Sequence, residues 1–334
     1  MAATKKCVSI VGATGLVGSE VARILHLRAF PIRDLRLFSS GRTRERETTI
    51  TGRAFPIVPF ALEALGEPGI CFLAAGGDFA RRYARQIAAR GHVVIDNSSA
   101  FRMADDVPLV VPEVNPRHLV GHKGLVANPN CSTIQMVMVL SPLARRWGLK
   151  KVVVSTYQAV AGAGLAAAGE LATHSQARLD GRDLPPRAFL DRIAFNVIPR
   201  IDAFDGDGWT GEERKMMNET RKILDDRSLS VIATTVRVPV FRGHSESVYA
   251  QFERDIDLSE VRLVLEGAAG VEVVDDPAAG KYPMPVDCAG KEQTFVGRLR
   301  LDPDFSRGLC MWIVSDNVWK GAALNAVQIA EILP

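Results

Sequence analysis

A chain of 334 residues with 47% apolar and 24% charged residues has the composition of a globular protein and the length of two domains. A net charge of +3 is too small for a nucleic-acid-binding surface and suits a small anionic substrate. Cysteines at 7, 71, 131, 288 and 310 lack metal-like spacing, which predicts a reducing compartment with neither disulfides nor a metal site.

From the amino terminus, "CVSIVGA" reads as a strand, "GLVGSEVARILHLRAF" as a helix and "DLRLFSS" as a second strand. "GICFLAAGG" is a further strand, "DFARRYARQIAARG" an amphipathic helix, and "HVVIDNSS" and "PLVVPEV" follow as strands. This alternation predicts an α/β fold, a Rossmann-type doubly wound parallel sheet. Met1 to Lys6 leave no room for a signal peptide and no apolar run is long enough to span a membrane. The expected location is cytoplasmic, without membrane contact.

Beyond residue 150 the strands lengthen: "KKVVVSTYQAV", "LSVIATTVRVPVF", "ESVYAQFE", "TFVGRLRLD" and "LCMWIVSD". Helices are expected around Ala166 to Leu179, Gly211 to Leu224 and Ser259 to Gly267, making this half α+β. The apolar helix "WKGAALNAVQIAEIL" at the end is expected to return to the first domain.

Gly12-Ala13-Thr14-Gly15-Leu16-Val17-Gly18 joins the first strand to the first helix with G-x-x-G-x-x-G spacing. Glycines there allow a tight turn and a close approach to a pyrophosphate seated on the helix N-terminus. The second strand ends in Ser39, Ser40 and Arg42 with no acid before Glu45. A carboxylate there would hold the ribose hydroxyl of NAD; hydroxyls and a guanidinium instead suit the 2′-phosphate of NADP.

In "ANPNCSTIQMVMVL" the turn Asn128-Pro129-Asn130 precedes Cys131, and Ser132 and Thr133 are helix starters. A thiol at a helix N-terminus is favoured as the nucleophilic thiolate; its alternative is a small buried hydrophobe. A nucleotide fold with such a thiol predicts aldehyde chemistry through a thioester, which needs a base near the sulfur and anion sites. In "VRVPVFRGHSES", Arg237 lies on a strand and His244 at a junction between strands, as a candidate acid/base. His26, His92, His118, His122 and His174 read as surface residues. Thr210-x-x-Glu213 is a capping box that starts a helix, and Glu212 and Lys215 share a face of it. By residue chemistry alone that pair is a solvated ion pair. "IDNSSAFR" ends a strand where ligands bind, with Arg102 as an anion clamp.

Taken in order, "GATGLVG", "IDNSSAFR", "VANPNCSTIQ", "STYQAVAGAG", "NVIPRID", "TGEERKMMNETRKIL", "RVPVFRGHSE", "VGRLR" and "SDNVWKGAALNAVQIAE" resemble the aspartate-β-semialdehyde dehydrogenase family over nearly the whole chain. The resemblance implies Cys131 as nucleophile, His244 as acid/base and Gln158 as the residue orienting the reacting groups. It implies Arg237 for the substrate α-carboxylate, Glu212 for its α-ammonium, and Arg102, Asn130 and Lys215 for phosphate. The glycine turn, Ser39, Ser40, Arg42, Gly162 and Gln328 would serve NADP. Residues 1–130 would then bind NADP, completed by a helix over 316–334, with 131–315 catalysing and forming a homodimer. The implied reaction is reversible: L-aspartate-4-semialdehyde, NADP⁺ and phosphate give L-4-aspartyl phosphate, NADPH and a proton. It belongs to lysine, threonine, methionine and diaminopimelate biosynthesis. One departure is Ala161, where the family often has serine before Gly-Ala-Gly.

Three rivals share parts of this pattern. N-acetyl-γ-glutamyl-phosphate reductase has the fold, thiol and histidine, but its cysteine usually follows Pro-Gly, and its substrate has no ammonium for Glu212. Acyl-CoA reductases such as malonyl-CoA reductases would be expected to alter the phosphate pair. A non-catalytic paralogue would be expected to lose Cys131 or His244.

Overall fold

The computed structural model describes residues 4–39 and 46–333. The chain divides into two compact units, Met1–Pro129 with Ala322–Pro334 and Asn130–Gly321.

In the first unit β1 (Lys6–Val11) leads through the glycine turn into α1 (Leu16–Leu27) and back to β2 (Ile32–Ser39). A hairpin follows, β3 (Glu47–Ile50) and β4 (Arg53–Pro59), then β5 (Ile70–Leu73), α2 (Gly77–Ala89), β6 (Val93–Asp96) and β7 (Leu125–Ala127). The sheet order is β3-β4-β2-β1-β5-β6-β7, parallel except for the hairpin. β1 lies between β2 and β5, so the order reverses beside the carboxyl end of β1, where the glycine turn begins. Continuous apolar runs such as Ile70–Leu73, buried at every position, are what a sheet covered on both faces requires. α2 buries Ala80, Ala84 and Ile87, one stripe at helical spacing.

The second unit opens with α3 (Cys131–Trp147), β8 (Leu149–Gln158), α4 (Leu165–Leu179) and α5 (Gly211–Ile223). It continues through β9 (Ser230–Arg237), β10 (His244–Phe252), α6 (Leu258–Glu266), β11 (Val271–Val273), the short α7 (Pro285–Cys288), β12 (Thr294–Asp302) and β13 (Phe305–Ser315). Its mixed sheet runs β11-β12-β13-β10-β8-β9. Met136, Val139, Leu140 and Leu143 of α3 form one core with Val152, Val154, Val248 and Ala250 of the central strands. The closing α8 (Leu324–Glu331) belongs to the first unit, where Asn325 Nδ2 donates to Val110 O at 3.0 Å and to Asn128 Oδ1 at 2.7 Å.

Three expectations are corrected. "PLVVPEV" forms no strand: Pro108 and Pro112 cannot donate to a ladder, and only a bridge from Leu109 to Ala127 remains. The closing segment is not one α-helix, because Trp319–Ala323 forms a π-helical turn before α8. His92 and His174 are buried, not surface residues. Among the described residues no helix is long and apolar enough to cross a membrane.

Candidate active site

Asn130 caps α3: its Oδ1 accepts from Ser132 N at 3.0 Å and Thr133 N at 3.1 Å. Cys131 is therefore the first helical residue and half-buried, where the positive end of the dipole favours charge on sulfur. Two contacts fix the cap. Asn130 N donates to Glu219 Oε2 at 2.6 Å, and Asn130 Nδ2 donates to Glu212 Oε1 at 2.9 Å.

The strand ends supply the next groups. Gln158 ends β8 and Arg237 ends β9, and parallel pairing sets them opposite each other. Gln158 Nε2 donates to Glu212 Oε1 at 3.1 Å. Arg237 Nη1 donates to Ala159 O at 2.7 Å. Burial lowers the Arg237 pKa despite the opposing charges of Glu212, Cys131 and Asp202.

Glu212 and Lys215 are not a solvated pair. Glu212 is only 4% exposed, and its Oε2 accepts from Lys215 Nζ at 3.1 Å. Burial raises the carboxyl pKa, but Lys215 and the donors Asn130 and Gln158 outweigh it and hold Glu212 below its ordinary range. Lys215 Nζ also donates to Asp202 Oδ2 at 2.5 Å. Although burial opposes its charge, Glu212 and Asp202 together raise the lysine pKa. The capping box at Thr210 and Glu213 fixes the start of α5, which sets Glu212 in the first turn.

His244, the first residue of β10, is wholly buried. Its Nδ1 accepts from Ala159 N at 3.0 Å, and burial, then Arg237, pull its pKa down to about 3. The preceding turn is held by Asn317, whose Oδ1 accepts from Gly243 N at 2.9 Å. Gly162 leaves the necessary room: a Cβ there would lie 3.0 Å from Arg237 Nη1 and 3.3 Å from His244 Nε2.

Three participants went unrecognised in the sequence. Glu219 holds Asn130, the Ala159 amide holds His244, and Gly321 meets Cys131, where a Cβ would come 2.8 Å from the cysteine Cβ. Only the unexplained motif "SDNVWKGAALNAVQIAE" gave any signal for the last.

The second unit thus brings together Cys131, Asn130, Gln158, Gly162, Glu212, Lys215, Arg237 and His244. The first unit carries the remaining expected residues. Arg102 Nε donates to Asn128 O at 2.9 Å and its Nη2 to Asn97 O at 3.1 Å. Nearby, burial raises the Asp96 carboxyl to about 6 despite hydrogen bonds from Ser98. Gln328 Nε2 donates to Glu113 Oε1 at 3.0 Å.

The glycine turn fits a dinucleotide. Gly12 has φ +85°, and a Cβ on Gly18 would lie 2.2 Å from Gly12 O, so only glycine permits this close turn. Gly15 caps α1 without a side chain, and no acid occupies the first turn, an arrangement suited to a pyrophosphate. Ser39, buried, ends β2; Ser40 and Arg42 lie outside the described residues.

Comparison with known proteins accords with this arrangement. Residues 7–122 match the semialdehyde dehydrogenase NAD-binding domain and residues 140–320 the semialdehyde dehydrogenase dimerisation domain. A semialdehyde dehydrogenase is therefore the class that fold and site define. Aspartate-semialdehyde dehydrogenase of Aquifex aeolicus is 48% identical over 98% of this chain and 97% of its own. That of Bacillus subtilis is 46% identical over 98% and 96%. The crystal structure of aspartate semialdehyde dehydrogenase II from Vibrio cholerae, complexed with ASA, superposes with a TM-score of 0.94 at 41% identity, covering 99% of this chain and 98% of that one. The chain belongs to the aspartate-semialdehyde dehydrogenase family.

Proposed function

We propose that the protein catalyses the reversible NADPH-dependent reduction of L-4-aspartyl phosphate to L-aspartate-4-semialdehyde and phosphate. The observation that carries this reading is the buried cluster beside Cys131, in which Glu212 stays charged among Asn130, Gln158 and Lys215, with Arg237 close by. A zwitterionic amino acid needs one anion and one cation at its fixed end. Glu212 is the anion for the ammonium, and planar Arg237 the cation for the α-carboxylate.

Cys131 is the nucleophile. In the reductive direction its thiolate attacks the acyl phosphate, and phosphate leaves toward Arg102, Asn130 and Lys215. Gln158 orients the reacting groups and His244 assists at the carbonyl. The nicotinamide, when bound, supplies the hydride for reduction of the Cys131 thioester. Gly12 to Gly18 hold its pyrophosphate, Ser39, Ser40 and Arg42 select the 2′-phosphate of NADP, Gly162 also serves the cofactor, and Gln328 serves its nicotinamide end. Residues 1–130 with the closing helix form the cofactor domain; 131–315 form the catalytic domain and the homodimer surface. The place of work is the cytoplasm, in supply of lysine, threonine, methionine and diaminopimelate.

The rival with an N-acetylated substrate has no ammonium for Glu212, which would leave a buried carboxylate without a charged ligand. Steady-state assays with L-aspartate-4-semialdehyde and N-acetyl-glutamate-5-semialdehyde separate the two. Turnover of the first alone, with NADP⁺ preferred over NAD⁺, is expected. Turnover of the acetylated substrate refutes the assignment, and equal use of both cofactors refutes the NADP preference.

A further inference from the structure

The segment "NVIPRID" ends in Asp202, a carboxylate to which the reaction above gives no part. Ile198 exchanges backbone hydrogen bonds with Arg237 at 2.9 and 2.8 Å, which ties the segment to the end of β9. Asp202 adopts φ +69°, a left-handed backbone that Asp, Asn and Gly tolerate. Gly211, the first residue of α5, makes room for its side chain: a Cβ there would lie 3.2 Å from Asp202 Oδ2. The carboxylate thereby meets Lys215 Nζ at 2.5 Å, and its charge also acts on Arg237. Lys215 is thus shared by two carboxylates of unequal freedom. The Glu212 side chain is 6% exposed and is bound by Asn130 and Gln158 as well, whereas that of Asp202 is 45% exposed.

We propose that Asp202 is an exchangeable counter-ion, which holds Lys215 between turnovers and gives it up to phosphate. This rests on the reaction proposed above and adds a residue that sets the affinity for phosphate. An ammonium that faces phosphate cannot serve Asp202 equally well, because the two anions repel each other. Glu212 cannot yield, since it is buried among its donors. Asp202 can turn outward, where water replaces the lysine. Lys215 therefore keeps Glu212 throughout and exchanges only its second partner. In the reductive direction the acyl phosphate displaces Asp202. Once Cys131 has taken the acyl group, the carboxylate competes for the ammonium and weakens its hold on free phosphate. Phosphate then binds less tightly than it would to Lys215 without Asp202. Only the ion pair changes, and Lys215 keeps its proton.

The phosphate dependence of NADP⁺ reduction with L-aspartate-4-semialdehyde, measured on the full-length protein, tests this exchange. Asp202→Asn and Asp202→Gly both remove the charge and keep a residue suited to the left-handed backbone. Each should lower KM for phosphate about three- to tenfold, as fits an ion pair open to solvent on one side, and leave KM for NADP⁺ unchanged. The difference from wild type should narrow in about 0.5 M KCl, where screening acts within about 5 Å. A residue that merely positioned Lys215 would give the opposite sign, because its loss would raise the phosphate KM. An unchanged or higher phosphate KM in both variants, or loss of turnover in both, overturns the inference. A wild type without phosphate-dependent turnover overturns the functional reading and this inference with it. An active wild type whose two variants share its phosphate KM overturns this inference alone.

Discussion

A carboxylate with almost no solvent contact must be matched by donors or surrender its charge. Glu212 is matched by Asn130, Gln158 and Lys215, which hold it ionised where an ammonium can be received. Arg237 is its electrostatic counterpart, buried and aimed by the Ala159 carbonyl. In the proposed role of Arg237, removing the guanidinium leaves the substrate carboxylate without a charged donor, so Arg237→Leu should raise KM for the semialdehyde about ten- to hundredfold. An unchanged KM in steady-state assays would move the carboxylate site elsewhere. Cys131 and His244 are legible in the sequence because turn residues, a helix start and a strand junction surround them. The burial of Glu212 is not. A Glu and a Lys three residues apart have the same spacing on a solvated face, and only tertiary packing against α3 and β8 distinguishes the two.

At the scale of elements, the site depends on where α3 begins. Asn130 both caps that helix and donates to Glu212. Asn130→Ala should therefore cost about 1 kcal/mol of stability through the cap alone, with a further loss in kcat as Cys131 and Glu212 shift. A thermal melt matching wild type would contradict the cap's part. The π-helical turn over Trp319–Ala323 sets Gly321 against the cysteine, and Gly321 N donates to Asp316 O at 3.0 Å across five residues. Gly321→Ala should displace Cys131 and lower kcat about tenfold or more, with KM little changed; a wild-type kcat would show that the contact yields at no cost. This turn was not legible, because apolar spacing through "WKGAALNAVQIAEIL" fits an uninterrupted helix. The β3–β4 hairpin was missed for a different reason. It turns at Thr51-Gly52, with φ of +46° and +85°, inside a polar stretch lacking the usual Asn-Gly or Asp-Gly signal. The glycine turn and the central strands followed the sequence closely, since continuous apolar runs and period-two alternation each have one structural solution here.

Across the whole molecule, buried titratable groups give stability two opposed dependences on pH. His244 stays neutral when folded, with its pKa near 3, against about 6.5 when unfolded. Its contribution is full above about pH 6.5 and is lost as acid approaches the folded value, because only the unfolded chain gains the proton. Glu246 has the opposite sign. It is wholly buried beside Gln135, and burial raises its carboxyl well above the ordinary range. Its contribution is full below about pH 4.3, the unfolded value, and falls as pH rises toward the folded one. Glu246→Gln should therefore raise Tm at about pH 8 and lose that advantage near pH 4. An equal offset at both pH values would show that Glu246 is charged in the folded protein.

The central claim is that the Cys131 thiol carries the aspartyl group as a thioester between the aldehyde and the acyl phosphate. Phosphate-dependent NADP⁺ reduction by the purified protein with L-aspartate-4-semialdehyde, set beside Cys131→Ala, measures it directly. The account predicts turnover that requires phosphate and disappears in the variant. Substantial turnover by Cys131→Ala, or none by wild type, would contradict it.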